Sequence, residues 1–168
     1  MFCWDTHLTK IKGRNVLFIV NASNRYTIAM TDIQPRNWNY YTMYIRSVIH
    51  GVMQEMGYYE EQIGQYFKMS GDTTVTKTHG RKSVGGINRM VMDAQYFGKK
   101  LEKEAKYQWE LSEYLNRDIC QPEGFDAYGY PSELFKLDME RLGIAAKRKP
   151  AKIIDFTKYI DTNRSTNH

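Results

Sequence analysis

Two apolar segments joined by a short polar break constrain the fold most. Val16 to Val20 is an almost uninterrupted apolar run, which is typical of a buried strand, and Asn21 to Asn24 interrupts it. From Tyr26 to Thr31, large apolar residues alternate with smaller or polar ones at the period of a half-buried strand. We therefore predict an antiparallel hairpin, preceded by a short strand over Phe2 to Leu8 and a turn at Gly13 to Asn15.

Apolar residues at three- and four-residue steps predict helices over most of the remaining chain. The predicted segments are Asn39 to Met56, Glu60 to Met69, a helix from Ile87 to Lys106 with an exposed far end from Lys99, a turn or helix at Trp109 to Leu115, and Pro131 to Leu142. The predicted fold class is α+β: a small antiparallel sheet with amphipathic helices packed on one face.

The chain of 168 residues is long enough for one substantial hydrophobic core and too short to favour a second independent domain. We expect residues 1–106 to form a compact α+β core. Residues 107–168 are expected to form a helical C-terminal extension packed on that core, with a basic linker at Lys147 to Lys149 and a last apolar segment from Ile153 to Ile160. The chain is thus predicted to be a single domain.

Location and cofactors are predicted from what the sequence lacks. No apolar run approaches the ~20 residues that cross a membrane, and Met1 to Asp5 has none of the features of a signal peptide. We therefore expect a cytoplasmic protein with no membrane partner. Cys3 and Cys120 are predicted to be packed, inert thiols. No group of His, Asp, Glu or Cys has the spacing of metal ligands, so we predict no metal and no cofactor.

Thr73 to Asn88 is the stretch that best suits a binding site. It predicts a short strand around Val75, a basic turn at Gly80 and a helix that is established by Ile87. A helix start offers unpaired N–H groups and a partial positive charge, both of which suit phosphate. The residues expected to hold phosphate or nucleic acid are Lys77, Thr78, Arg81, Lys82, Ser83 and Asn88.

Three small residues complete this hypothesis. Ser83 is expected to cap the helix, and Gly85 and Gly86 have no side chains to obstruct a close approach of the ligand. An ordinary exposed turn is an equal alternative, because Ser and Thr cap helices, Gly forms turns, and Lys and Arg project into solvent. The stretch matches neither the phosphate loop of nucleotidases nor a dinucleotide-binding fingerprint.

The same stretch carries a family resemblance. Thr76-Lys77-Thr78, followed by Arg81, Gly85 and Asn88, resembles the Thr-Lys-Thr-x-x-Arg-Ser-x-x-Gly-x-x-Asn motif of an uncharacterised prokaryotic family, a domain of unknown function. The residue after Arg81 is Lys where the family usually has Ser. The similarity extends back through Val16 to Asp32 and covers roughly the first two-thirds of the chain. The resemblance implies the fold unit and the importance of the loop, and it implies no activity.

Charge and aromatic content favour a nucleic-acid partner. Lys and Arg number 24 against 19 Asp and Glu, which gives a net charge of +5, and the chain has thirteen tyrosines. Exposed aromatic rings beside cations can stack bases, although most tyrosines are expected to pack in the core or its rim. We therefore predict a small basic nucleic-acid-binding protein, with RNA favoured over DNA.

Two alternatives remain open at this point. One is an inhibitor of the phage or plasmid type, similar to anti-CRISPR proteins, that binds a host nuclease effector or its guide RNA; the loop from Tyr128 to Tyr130 and the last apolar segment would contact it. The other is a metal-independent ribonuclease in which His79 moves a proton and Lys77 or Arg81 stabilises developing charge. The sequence places no partner for His79, so it establishes no reaction.

Overall fold

A three-stranded antiparallel sheet forms the centre of the molecule. The computed structural model describes residues 1–33, 40–77 and 80–144. The strands are β1 (Trp4–Ile11), β2 (Arg14–Asn21) and β3 (Thr27–Thr31), in the spatial order β1-β2-β3. The predicted hairpin is confirmed as β2 and β3, which pair antiparallel from Val16 opposite Thr31 to Val20 opposite Thr27.

The turn between β1 and β2 fixes the register of the first pair of strands. It consists of Lys12 and Gly13, which have φ angles of 49° and 82°. Two residues in the left-handed region form the kind of tight turn whose twist matches that of a hairpin. Ile11 therefore lies opposite Arg14, and the pairing continues to Trp4 opposite Asn21.

Five helices complete the described part of the chain, and the α+β class is confirmed. They are α1 (Tyr41–Glu55), α2 (Glu60–Ser70), α3 (Arg81–Gln95), α4 (Trp109–Asn116) and α5 (Pro131–Arg141). The last helix has Pro131 at its first position and Gly143, with φ of 70°, just after its end, as predicted.

The predicted helical far end of α3 is wrong. The helix begins at Arg81 and ends at Gln95, and residues 99–106 are not helical. The side chain of Gln108 organises this segment instead. Its amide accepts a hydrogen bond from the backbone N–H of Glu102 (2.8 Å) and donates to the carbonyls of Glu102 (2.9 Å) and Ala105 (2.6 Å). The Gln108 side chain thus provides these backbone groups with hydrogen bonds that a helix would otherwise provide.

Helices cover both faces of the sheet, which corrects the expectation that they pack on one face. Leu17 and Ile19 of β2 lie in a core with residues of α1, α2 and α5. Val16, Phe18 and Val20 point to the opposite side, into a core with residues of α3 and α4. Successive side chains of a strand point to opposite faces of the sheet, and here both faces are buried. The apolar run of β2 is therefore uninterrupted.

Side chains and a short segment close the outer edge of β3. The Asn116 amide donates to the carbonyl of Thr27 and accepts from its N–H, both at 2.8 Å, and Ser112 Oγ accepts from the N–H of Ala29 at 3.0 Å. The N–H of Thr31 donates to the carbonyl of Lys106, and the N–H of Gln108 donates to the carbonyl of Ala29. Polar side chains of α4 therefore replace a neighbouring strand at this edge.

The helices after residue 106 share both cores with the rest of the chain. Leu111 and Leu115 of α4 lie in the second core, and Phe135 and Met139 of α5 lie in the first. The division into residues 1–106 and 107–168 stays a prediction. The basic linker at Lys147 to Lys149 and the segment from Ile153 to Ile160 lie outside the described residues.

Candidate functional site

The connection from α2 to α3 passes from one face of the sheet to the other. It runs from Gly71 to Gly80, and its residues Thr73 to Thr76 line the same cleft as Phe2 to Thr6 at the outer edge of β1. The predicted strand around Val75 is wrong: this side chain is 74% exposed and its segment has no strand partner among the described residues. β-branched residues favour a strand only where a neighbouring strand and a buried face are present.

The start of α3 carries no capping side chain. Gly80 occupies the cap position with φ of 55°, a left-handed conformation that favours glycine and confirms the predicted turn. The helix begins at Arg81, six residues before Ile87. The expectation that Ser83 caps the helix is therefore wrong, since Ser83 lies within its first turn and its hydroxyl is otherwise engaged.

The partner of Ser83 is a buried carboxylate that the sequence did not single out. Ser83 Oγ donates a hydrogen bond to Asp5 Oδ2 at 2.5 Å, and Asp5 on β1 is only 5% exposed. This bond ties the first turn of α3 to the edge strand. It also removes Ser83 from the groups that are free to bind phosphate. No signal in the sequence linked the two residues, because 78 positions separate them.

Three of the residues predicted to bind phosphate are exposed in the structure. Lys77, Arg81 and Asn88 are all exposed, and neither Lys77 nor Arg81 forms an ion pair with any described residue. Asn88 follows Arg81 by seven residues, which places it two turns along the same side of α3. Thr78, His79 and the side chain of Lys82 lie outside the described residues, so their proposed roles, including the ribonuclease hypothesis, stay predictions.

The two glycines of α3 differ. A Cβ added to Gly85 would meet open space, whereas one added to Gly86 would lie 3.0 Å from Cζ of Arg25. Arg25 Nη2 donates to the Gly86 carbonyl at 2.6 Å. Gly86 therefore leaves room for an internal guanidinium group, so the expectation that it leaves room for a ligand is wrong. Arg25 comes from the turn between β2 and β3 and was not predicted as part of the site.

A cleft of about 390 Å³ lies between β1, α1, the end of α2 and the connection from α2 to α3, which we call the crossover. Arg46 of α1 is its most informative residue. Its guanidinium carbon lies 4.5 Å from the centre of the Phe67 ring, and Nη1 donates to Thr73 Oγ1 (3.0 Å) and to the Gly71 carbonyl (3.2 Å). The Arg46 side chain thereby holds the segment from Gly71 to Thr73 against α2.

Burial raises the pKa of the cysteine and tyrosine side chains that line the cleft. Burial raises the pKa of Tyr66 to about 12, and its hydroxyl accepts a hydrogen bond from Trp4 Nε1 at 2.9 Å. Burial, followed by the charge of Asp5, raises the pKa of Cys3. A thiol with a raised pKa is a poor nucleophile. Within the ranges that the structure describes, no group of three or more His, Cys, Asp or Glu is placed to hold a metal ion.

Two tyrosines of the predicted contact loop are exposed. Tyr128 and Tyr130 flank Gly129, whose N–H and carbonyl pair with Cys120 at 2.9 and 3.0 Å. A Cβ on Gly129 would lie 2.6 Å from Leu134 Cδ2, so the loop packs tightly onto α5. This rigid presentation is compatible with a protein partner, and that alternative stays a prediction. None of the helices within the described ranges has the length and apolar character of a membrane span.

Comparison with known proteins gives a family and nothing more specific. A family model described as a domain of unknown function (DUF6933) matches residues 1–134. The chain belongs to the DUF6933 family. The match extends through α4 to the beginning of α5, beyond the first two-thirds of the chain that the resemblance was expected to cover. No curated protein and no solved structure matches this chain.

Proposed function

We propose that the chain binds single-stranded nucleic acid, RNA in preference to DNA, by holding phosphates at the start of α3. The observation that carries the proposal is the exposure of Lys77 and Arg81 on either side of an uncapped helix start, without a carboxylate partner among the described residues. Exposed cations beside unpaired N–H groups are the usual way to hold a phosphate.

The side-chain cations supply most of the expected affinity. The first turn of α3 has no acidic residue, so its own sequence does not oppose an anion. The buried carboxylate of Asp5 lies against Ser83 in that turn and partly offsets the positive end of the helix. A helix terminus contributes only ~0.3 to 1 kcal/mol at a surface. Phosphate contacts by Lys and Arg release counterions and dominate binding to nucleic acid.

Salt dependence tests this proposal. We would measure binding of a labelled single-stranded RNA to the wild type and to the double variant Lys77→Ala/Arg81→Ala over a range of salt concentrations. Each phosphate contact contributes about 0.7 to the slope of log K against log salt for a single strand. We therefore expect the double variant to bind more weakly and its slope to be shallower by about 1.4.

The matched control is Lys103→Ala/Lys106→Ala. It removes the same charge from two exposed positions in the segment before α4, away from the proposed site. It should leave the slope close to that of the wild type. An equal loss in the two double variants would mean that net charge alone attracts RNA, and binding that does not change with salt would contradict phosphate contacts altogether.

A further inference from the structure

The cleft contains a cation–π pair, which we call the platform. Arg46 and Phe67 both line it, with the guanidinium group over the ring at 4.5 Å. The hydrogen bonds from Arg46 to Gly71 and Thr73 go to neutral acceptors, and no described carboxylate forms an ion pair with this cation. Planar guanidinium groups and aromatic rings are the surfaces on which unpaired bases stack.

The edge of β1 supplies donors and acceptors to the same cleft. Ile11 and Arg14 flank a two-residue turn, so they form a hydrogen-bonded pair, and the alternation of an antiparallel ladder then turns the N–H and C=O groups of Trp4 and Thr6 outward. The same alternation turns the carbonyl of Lys10 outward, and this carbonyl accepts a hydrogen bond from Gln95 Nε2 at 3.0 Å. Trp4 and Thr6 line the cleft.

Charge separates the cleft from the basic loop. Among the described residues that line the cleft, one is basic, Arg46, and two are acidic, Asp5 and Asp72, so the cleft does not favour a phosphate. Lys77, which directly follows the cleft-lining Thr76, is the first cation of the proposed phosphate site. A nucleotide satisfies this arrangement if its neutral base enters the cleft while its phosphate stays outside.

We propose that the cleft holds one unpaired nucleobase of the strand whose phosphates bind at Lys77 and Arg81. The base stacks on the platform of Arg46 and Phe67, and its hydrogen-bonding edge meets the outward peptide groups of β1. A volume of about 390 Å³ lies within the range of ordinary ligand pockets. This inference rests on the proposed function, because it requires a bound strand, and it adds a base-dependent component to the affinity.

An abasic oligonucleotide tests the inference. We would compare, by fluorescence anisotropy, a labelled RNA hexamer with a hexamer of the same charge in which every base is absent. The wild type should bind the complete hexamer roughly tenfold more tightly, the magnitude usual for one stacked base. Arg46→Ala should abolish this difference between the two hexamers. Arg46→Lys, which keeps the charge and loses the planar group, should not restore it.

Arg141→Ala is the matched control, since Arg141 also covers a ring, with Cζ 4.0 Å from the centre of Phe125, but lies outside the cleft. It should retain the preference for the complete hexamer. If neither hexamer binds the wild type, the proposed function fails and the inference fails with it. Equal binding of the two hexamers leaves the phosphate site standing and overturns the base pocket. Full restoration by Arg46→Lys would also overturn it, because charge alone would then suffice.

A second measurement covers the case in which Arg46→Ala disturbs the crossover. Photocrosslinking of the wild type with an RNA hexamer containing 5-bromouridine, followed by peptide mapping, should label residues from Phe2 to Thr6 or from Tyr41 to Arg46. Labelling confined to Tyr128 or Tyr130 would place the bases on another surface and overturn the inference.

Discussion

Gln108 is a buried polar residue that the sequence analysis did not single out, and its side chain connects distant parts of the fold. Its side chain is almost completely buried and forms four hydrogen bonds, which join Thr31 of β3 to the backbone at Glu102 and Ala105. A single amide thereby supplies hydrogen-bond partners to backbone groups of the segment between α3 and α4 and connects this segment to the end of the sheet. Nothing in the local sequence distinguishes this glutamine from an exposed one, because its partners depend on the tertiary fold.

We expect Gln108→Ala to lower the free energy of unfolding by about 2 kcal/mol or more. The substitution leaves the N–H of Glu102 without its partner and removes the hydrogen bonds to Thr31 Oγ1 and to the carbonyls of Glu102 and Ala105. Each hydrogen bond of this kind contributes about 0.5 to 1.5 kcal/mol net. Gln95→Ala is the control, because Gln95 is exposed and its amide donates one hydrogen bond, to the carbonyl of Lys10. Urea denaturation compares the two. A Gln108→Ala change as small as that of Gln95→Ala would contradict this role.

In helix α3 the sequence pattern predicts the apolar face well, but it does not distinguish the two glycines. The apolar residues Ile87, Met90 and Ala94 face the sheet as their spacing predicts. Gly85 and Gly86 look equivalent in the sequence, yet only Gly86 has the guanidinium group of Arg25 against its Cα. Periodicity identifies the buried side of an element, but it cannot show which distant side chain crosses its surface.

This difference makes the paired variants informative. Gly85→Ala should stabilise the protein by about 0.5 to 1 kcal/mol, since alanine is the better helix former and its Cβ meets open space. Gly86→Ala should gain less, because the Arg25 side chain must yield. In an Arg25→Ala background the two substitutions should become equal. Thermal or urea denaturation measures this coupling: the two single variants are compared with the wild type, and the two double variants with Arg25→Ala. If the difference between the two glycine substitutions is the same in both backgrounds, Arg25 is not its cause.

At the scale of the whole molecule, the sequence predicts the composition of the fold better than its arrangement. The three strands, α1, α2 and α5 all follow from local patterns, with ends displaced by a few residues. The placement of helices on both faces was missed, although the uninterrupted run from Val16 to Val20 implied it. Lys77 and Arg81 are exposed, which both the phosphate site and an ordinary exposed turn predict, so the site itself stays a prediction. The cleft could not be predicted, because it depends on contacts of Arg46 and Asp5 that join distant segments.

Tyrosines with raised pKa values predict that the fold loses stability in alkali. Burial raises the pKa of Tyr66 and Tyr107 to about 12 and that of Tyr26 further, from an ordinary value of 10.0. Because the folded pKa is the higher one, the stabilisation is complete below about pH 10 and is lost as the pH rises through the folded values. The urea midpoint should therefore fall steeply above about pH 10.

Tyr66→Phe should make that fall shallower, since it removes one of the buried groups whose pKa is raised. Tyr59→Phe is the control, because Tyr59 is exposed. Phenolate absorbance measured alongside the urea midpoint should rise for the buried tyrosines only as the protein unfolds. Their ionisation in a fully folded protein near pH 10 would contradict the raised pKa values.

The unequal edges of the sheet limit how copies of this protein can associate. Asn116, Ser112 and the segment from Lys106 to Gln108 occupy the peptide groups of β3, so no further strand can add there. Fibre growth by edge-to-edge pairing needs two available edges on every copy. Among the described strands this leaves β1 as the one open edge, so pairing through these strands joins one neighbour and ends at a pair.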